Sequence, residues 1–119
     1  MEISVIPKHR MVLVRVSGEI DHHSAGHIRN CLEREIRKTS AINIAIDFSR
    51  VTFMDSSGIG MIIGRFKTVT ALGGRLIVFD VSESIKRIFE MSGLGSLIII
   101  SDTLQRGISI MNKGRGVKV

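Results

Sequence analysis

The 119-residue chain has one cysteine, one proline, and neither tryptophan nor tyrosine. The lone thiol, Cys31, excludes an internal disulfide and fits a reducing cytoplasm, where the protein is expected to reside. Five phenylalanines are the whole aromatic complement. Stacking platforms for single-stranded nucleic acid need aromatic faces, so that reading loses ground and no direct DNA binding is expected. Long apolar runs are missing as well. Leu97-Ile98-Ile99-Ile100 is strand-sized, far below the ~18 residues that read as a membrane span. Residues 1–7 lack a basic segment followed by an apolar core, so neither a secretory leader nor a membrane partner is expected.

What is present is an ordinary globular balance, with 44% apolar and 24% charged residues. A chain this long forms one domain and buries roughly two-thirds of its unfolded surface, so it needs no metal or disulfide to fold. The net charge of +6 is unevenly placed. Residues 104–119 hold Arg106, Lys113, Arg115 and Lys118 and no acid, which is four of the six charges. The preceding 103 residues carry 13 basic and 11 acidic groups, close to balance. The charge is therefore a property of one end, and residues 113–119 read as a basic tail, either solvated or polyanion-binding.

Periodicity organises the rest. Residues 3–6 and 11–17 read as strands joined by a turn at 7–10. After Gly18 the spacing becomes helical, with Ala25, Ile28, Leu32 and Ile36 on one face. Residues 43–48 read as a strand, 57–72 as a helix closed by Gly73-Gly74, and 75–79 as a strand. A short helix at 84–91 stops at Ser92-Gly93. A last strand at 97–100 leads to a helix running through Met111, capped by Ser101 or Asp102. The alternation predicts an α/β fold with a mixed, mostly parallel sheet of about five strands and about four helices.

In such a fold function gathers at the carboxyl ends of the strands. Two loops are expected there, at residues 18–23 and 53–60. In the second, Ser56 or Ser57 stands where a helix N-cap belongs, and an anion is favoured at a helix N-terminus. Gly58 and Gly60 would let another chain's backbone come close. Among other constellations, His23, His27 and Cys31 recur every four residues, but the core face of that helix turns the histidines to solvent, and no metal site is expected. A serine hydrolase would need a Gly-x-Ser-x-Gly elbow, which is absent. A phospho-aspartate receiver would need an acidic pair after the first strands. No Walker loop is present and no cofactor is expected.

The run Phe53-Met54-Asp55-Ser56-Ser57-Gly58-Ile59-Gly60 resembles the signature of STAS domains of the anti-sigma factor antagonist type. Three further segments carry the same likeness in order: residues 18–25, Gly64-Arg65-Phe66-Lys67, and residues 85–94. The Asp21-His22-His23 triplet is nearer the sporulation members, the anti-sigma F factor antagonists, than the general-stress ones. The resemblance implies a STAS domain over residues 3–112. It implies a partner switch in which the unphosphorylated protein binds the anti-sigma F factor, itself a serine kinase, and frees sigma F for sporulation transcription. That kinase then phosphorylates Ser56, with Ser57 the runner-up, and a serine phosphatase of the sporulation pathway resets the protein. Asp21, Asp55, Ser56, Ser57 and Gly58 are the implied partner-binding residues. Such a protein is a substrate of a kinase and a phosphatase, not itself an enzyme. The other reading kept open is a small α/β enzyme or nucleotide-binding protein using the Asp55-Ser56-Ser57-Gly58 loop.

Overall fold

A computed structural model describes residues 1–116. Five strands lie in the order β1-β2-β3-β4-β5: β1 Glu2–Ile6, β2 Met11–Ile20, β3 Asn43–Met54, β4 Leu76–Phe79 and β5 Ile99–Ser101. Only β1 runs antiparallel, to β2; the other neighbours are parallel. Four helices accompany them, three as crossovers and the last after β5: α1 His22–Thr39, α2 Ser56–Ala71, α3 Glu83–Ser92 and α4 Leu104–Gly116. This is the mixed, mostly parallel α/β sheet expected from the alternation of periods.

The sheet has a core on each face because its central strands are apolar on both sides. Val12, Val14, Ile44, Ile46, Leu76 and Val78 face α1, α2 and α3. Met11, Leu13, Ala45, Ile77 and Ile99 face the other way, where Met111, Ile108 and Leu104 of α4 cover them. Phe48 on β3 meets Phe89 on α3 edge-on, with centroids 5.7 Å apart, a geometry worth ~0.5–1.5 kcal/mol beyond area burial.

The strands outrun the sequence reading at the end that matters. β2 extends to Ile20 and β3 to Met54, past the expected ends at residues 17 and 48. The β2–β3 register slips twice, between Arg15 and Ser17 and between Gly18 and Glu19. Each slip puts an extra residue on β3 and breaks the period of two. Phe48, Val51 and Met54 are all buried at intervals of three. Gly18 sits at one slip with φ +82°, a left-handed conformation that suits glycine. The two long loops therefore do not exist. Asp21 and Asp55 are single-residue links from strand to helix.

Both ends of the last helix also differ from expectation. Thr103, not Ser101 or Asp102, precedes α4, and its Oγ1 accepts from the Arg106 N–H at 3.1 Å. Helix α4 continues past Met111 to Gly116, carrying the start of the basic tail; residues 117–119 lie outside the described region.

Candidate functional site

Asp55 is the N-cap of α2. Its backbone is extended, and its Oδ1 accepts the Ser57 N–H at 2.8 Å. Neither serine holds that position. Ser56 and Ser57 are the first two helical residues, so their hydroxyls are spared from capping. The correction has a simple cause. Asp and Ser are both strong N-cap residues, and the cap falls one place earlier because β3 runs on to Met54.

The serines then part company. Ser56 is exposed, while Ser57 is half-buried. Ser56 lies in a shallow, mainly apolar trough of about 390 Å³ between α2 and α3, lined by Met54, Ile59, Ile88 and Met91. Ser57 turns towards α1. Among the described residues neither hydroxyl has a hydrogen-bond partner, so neither is paired with a base as a nucleophile would be.

Asp21 repeats the Asp55 arrangement on the neighbouring strand. It caps α1, its Oδ1 accepting the Ser24 N–H at 3.0 Å while the Ser24 hydroxyl accepts the Asp21 N–H at 2.9 Å. The backbone N–H of Ser24 holds the Asp21 carboxyl below its ordinary pKa, helped by the Ser24 hydroxyl and the His23 N–H and charge and opposed by partial desolvation. Ile20 and Met54 are register partners, and the Asp55 N–H donates to the Ile20 carbonyl at 3.1 Å. The structure thus brings Asp21, Asp55, Ser56 and Ser57 to one end of the sheet, where two helix N-termini emerge side by side.

Gly58 does not belong to that surface. It is buried, and a Cβ there would press into the Met54 side chain and meet Ile20 Cγ2 at 3.0 Å. Its bareness seats α2 on the sheet and leaves no room for another chain's backbone. Gly60 is the open one, with nothing within 4 Å of its absent Cβ.

Sequence reasoning missed two exposed apolar side chains, of which Met91 lines the trough. Phe53 is 50% exposed and Met91 is 88% exposed. Met91 follows the buried Ile85 and Phe89 of α3 but lies off their face. A large apolar residue at a polar position was the available signal, and the same holds for Phe53 beside the buried Met54. His27 and Cys31 lie 4.0 Å apart through Nε2 and Sγ. Among the described residues no three His, Cys, Asp or Glu side chains are placed to share a metal ion. Nor is any described helix long and apolar enough to cross a membrane.

Comparison with known proteins agrees with this arrangement. The model of the STAS domain matches residues 2–107. The chain is 40% identical over 95 residues to the anti-sigma F factor antagonist of Paenibacillus polymyxa, covering 79% of this chain and 81% of that protein. It is 34% identical over 97 residues to the anti-sigma-B factor antagonist of Bacillus subtilis strain 168, covering 82% and 87%. The solved structure of the Bacillus cell fate determinant SpoIIAA in its phosphorylated form superposes with a TM-score of 0.71 at 31% identity, over 91% of this chain and 96% of that one. With the signature run at the start of α2 and relatives matched over most of their length, the chain belongs to the STAS-domain family and, within it, to the anti-sigma factor antagonists.

Proposed function

We propose that this antagonist switches between partners through phosphorylation of Ser56. Unphosphorylated, it binds the anti-sigma F factor, a serine kinase, and so releases sigma F for sporulation transcription in the cytoplasm. The kinase then transfers a phosphoryl group from ATP to the Ser56 Oγ, the complex parts, and a serine phosphatase of the same pathway restores the hydroxyl. The observation that carries this reading is the placement of Ser56. It is an exposed hydroxyl in the first turn of α2, set in an apolar trough whose lining includes the exposed Met91.

Physical chemistry supports a switch that spares the fold. A phosphate adds about −1.5 to −2 charges and three acceptor oxygens. The N-terminus of α2 tolerates that charge. A partner surface fitted to an apolar trough and a neutral hydroxyl does not, and like-charge or desolvated contacts at an interface cost several kcal/mol. Each ~1.4 kcal/mol is a factor of ten in affinity. Asp21, Asp55 and Ser57 share the contact face. Gly58 acts only by seating the helix. Size-exclusion chromatography of the chain with the anti-sigma F factor, before and after full phosphorylation, tests the reading. A complex that forms only with the unphosphorylated chain is expected; equal complex formation by both forms would contradict it.

A further inference from the structure

Between α1 and α2 runs an open groove of about 470 Å³ that the Ser56 switch leaves unused. Gly26 and Arg29 of α1 face Gly60, Gly64 and Arg65 of α2 across it. Glycine weakens a helix interior relative to alanine, and three of them here are not explained by close helix packing. A Cβ on Gly60 or Gly64 would meet nothing within 4 Å, and one on Gly26 only the Arg29 guanidinium at 4.0 Å. The glycines keep a space open.

Arg65 gives that space its chemistry. It occupies a core position of α2, between Ile62 and Val69, and is 5% exposed. Its Nη2 donates to Glu33 Oε1 at 3.2 Å. Its Nε and Nη1 are buried and have no acceptor among the described residues. A guanidinium offers five N–H donors, and leaving buried donors unmatched is costly. Burial pushes the Arg65 pKa below its ordinary value; Glu33 opposes this, and the positive charge of Arg29 adds to it. A negative group between the two guanidiniums would relieve both the repulsion and the unmet donors.

We infer that the α1–α2 groove is an oxyanion subsite, in which Arg65, with Arg29 beside it, holds the phosphate or carboxylate group of a small molecule. The charge-assisted N–H···O bonds are the same in either case. The inference does not rest on the partner switch. The groove shares the first turn of α2 with the Ser56 trough but lies on the α1 side, with Ser57 on its wall, whereas the trough lies on the α3 side. An occupant would therefore sit next to the switch without covering its serine.

Amide and arginine side-chain NMR spectra of the full chain, titrated with sodium phosphate and separately with sodium acetate at constant ionic strength, test this. Saturable shifts at the Gly26, Gly60 and Gly64 amides and at the Arg65 Nε–H are expected with at least one anion. The anion that acts identifies the ligand as a phosphate or a carboxylate compound. Gly60→Ala places a methyl in the groove without touching the core, and Arg65→Met removes the donors. Arg65→Met should weaken binding about tenfold or more, the loss expected for a charge-assisted hydrogen bond, and Gly60→Ala should weaken it by occupying the groove. The amide spectrum of each variant checks its fold. Absence of a saturable shift with both anions would overturn the inference. So would shifts spread over the basic C-terminal end, or binding that folded Gly60→Ala leaves unchanged.

Discussion

The Asp55 N–H donates to the Ile20 carbonyl at 3.1 Å, one residue beyond the last β2–β3 register pair. That bond ties the start of α2 to the end of β2, and Asp21 follows Ile20 at once as the cap of α1. Two neighbouring parallel strands thus deliver two aspartate-capped helices to one spot, with Ser56 on the exposed side. The candidate site is built from strand ends and first turns.

The caps separate stability from switching. Asp55→Ala removes the acceptor for the Ser57 N–H and is expected to cost ~1 kcal/mol. Ser56→Ala touches no cap bond and should leave the denaturant midpoint close to wild type. Urea unfolding of both variants checks this. A larger loss in Ser56→Ala than in Asp55→Ala would put the cap back on the serine.

Gly58 and Gly60 should respond oppositely to the same change. Gly58→Ala drives a methyl into Met54 and Ile20, and overpacking of this kind costs ~1–3 kcal/mol. Gly60→Ala adds its methyl in open space and should hold or raise stability, by at most ~1 kcal/mol from helix propensity. Thermal melts of the pair decide, and equal losses would mean that α2 is seated differently.

Asp21 sets a pH dependence on the acid side. Its carboxyl is depressed in the folded chain, chiefly by the Ser24 N–H. The folded state therefore binds this proton less readily than the unfolded one. The resulting stability is complete above the usual carboxylate value, about 3.9, and is lost as pH falls through the depressed folded value. Asp21→Asn keeps a capping oxygen but cannot titrate, so its stability should fall less steeply below pH ~4. Urea midpoints measured from pH 5 downward test this, and identical slopes would remove Asp21 from the linkage.

Much of this was legible beforehand. The alternation of periods gave the sheet, four helices and their order, because Val12, Val14 and Val16 and the Ala25–Ile36 stripe point each to one face. The strand ends were not legible. The two register slips replace the period of two with buried residues at Phe48, Val51 and Met54, and a window looking for alternation stops at the first slip. The cap moved with the strand end, from serine to Asp55. Gly58 looked like an opening for a partner because sequence shows a missing side chain but not which way it would have pointed. Arg65 stands in the sequence as one residue of the Gly64-Arg65-Phe66-Lys67 motif, although a charge spaced between Ile62 and Val69 already marks a buried cation.

Ser56→Asp should fold at least as well as wild type, since a carboxylate in the first turn of a helix is favourable. It should bind the anti-sigma factor more weakly, yet less weakly than the phosphorylated chain, because one carboxylate has less charge than a phosphate. Calorimetric titration of the three forms gives the order. An aspartate variant that binds as tightly as wild type would show that charge at this position is not what the partner rejects.

The most direct measurement is phosphopeptide mapping after incubation with the anti-sigma F factor and ATP, on wild type, Ser56→Ala and Ser57→Ala. One phosphate on Ser56 is expected, retained in Ser57→Ala and absent from Ser56→Ala. Phosphate on Ser57, persisting in Ser56→Ala, would contradict the assignment drawn from exposure. Phosphate on neither serine, with the kinase active on a control substrate, would contradict the switch itself.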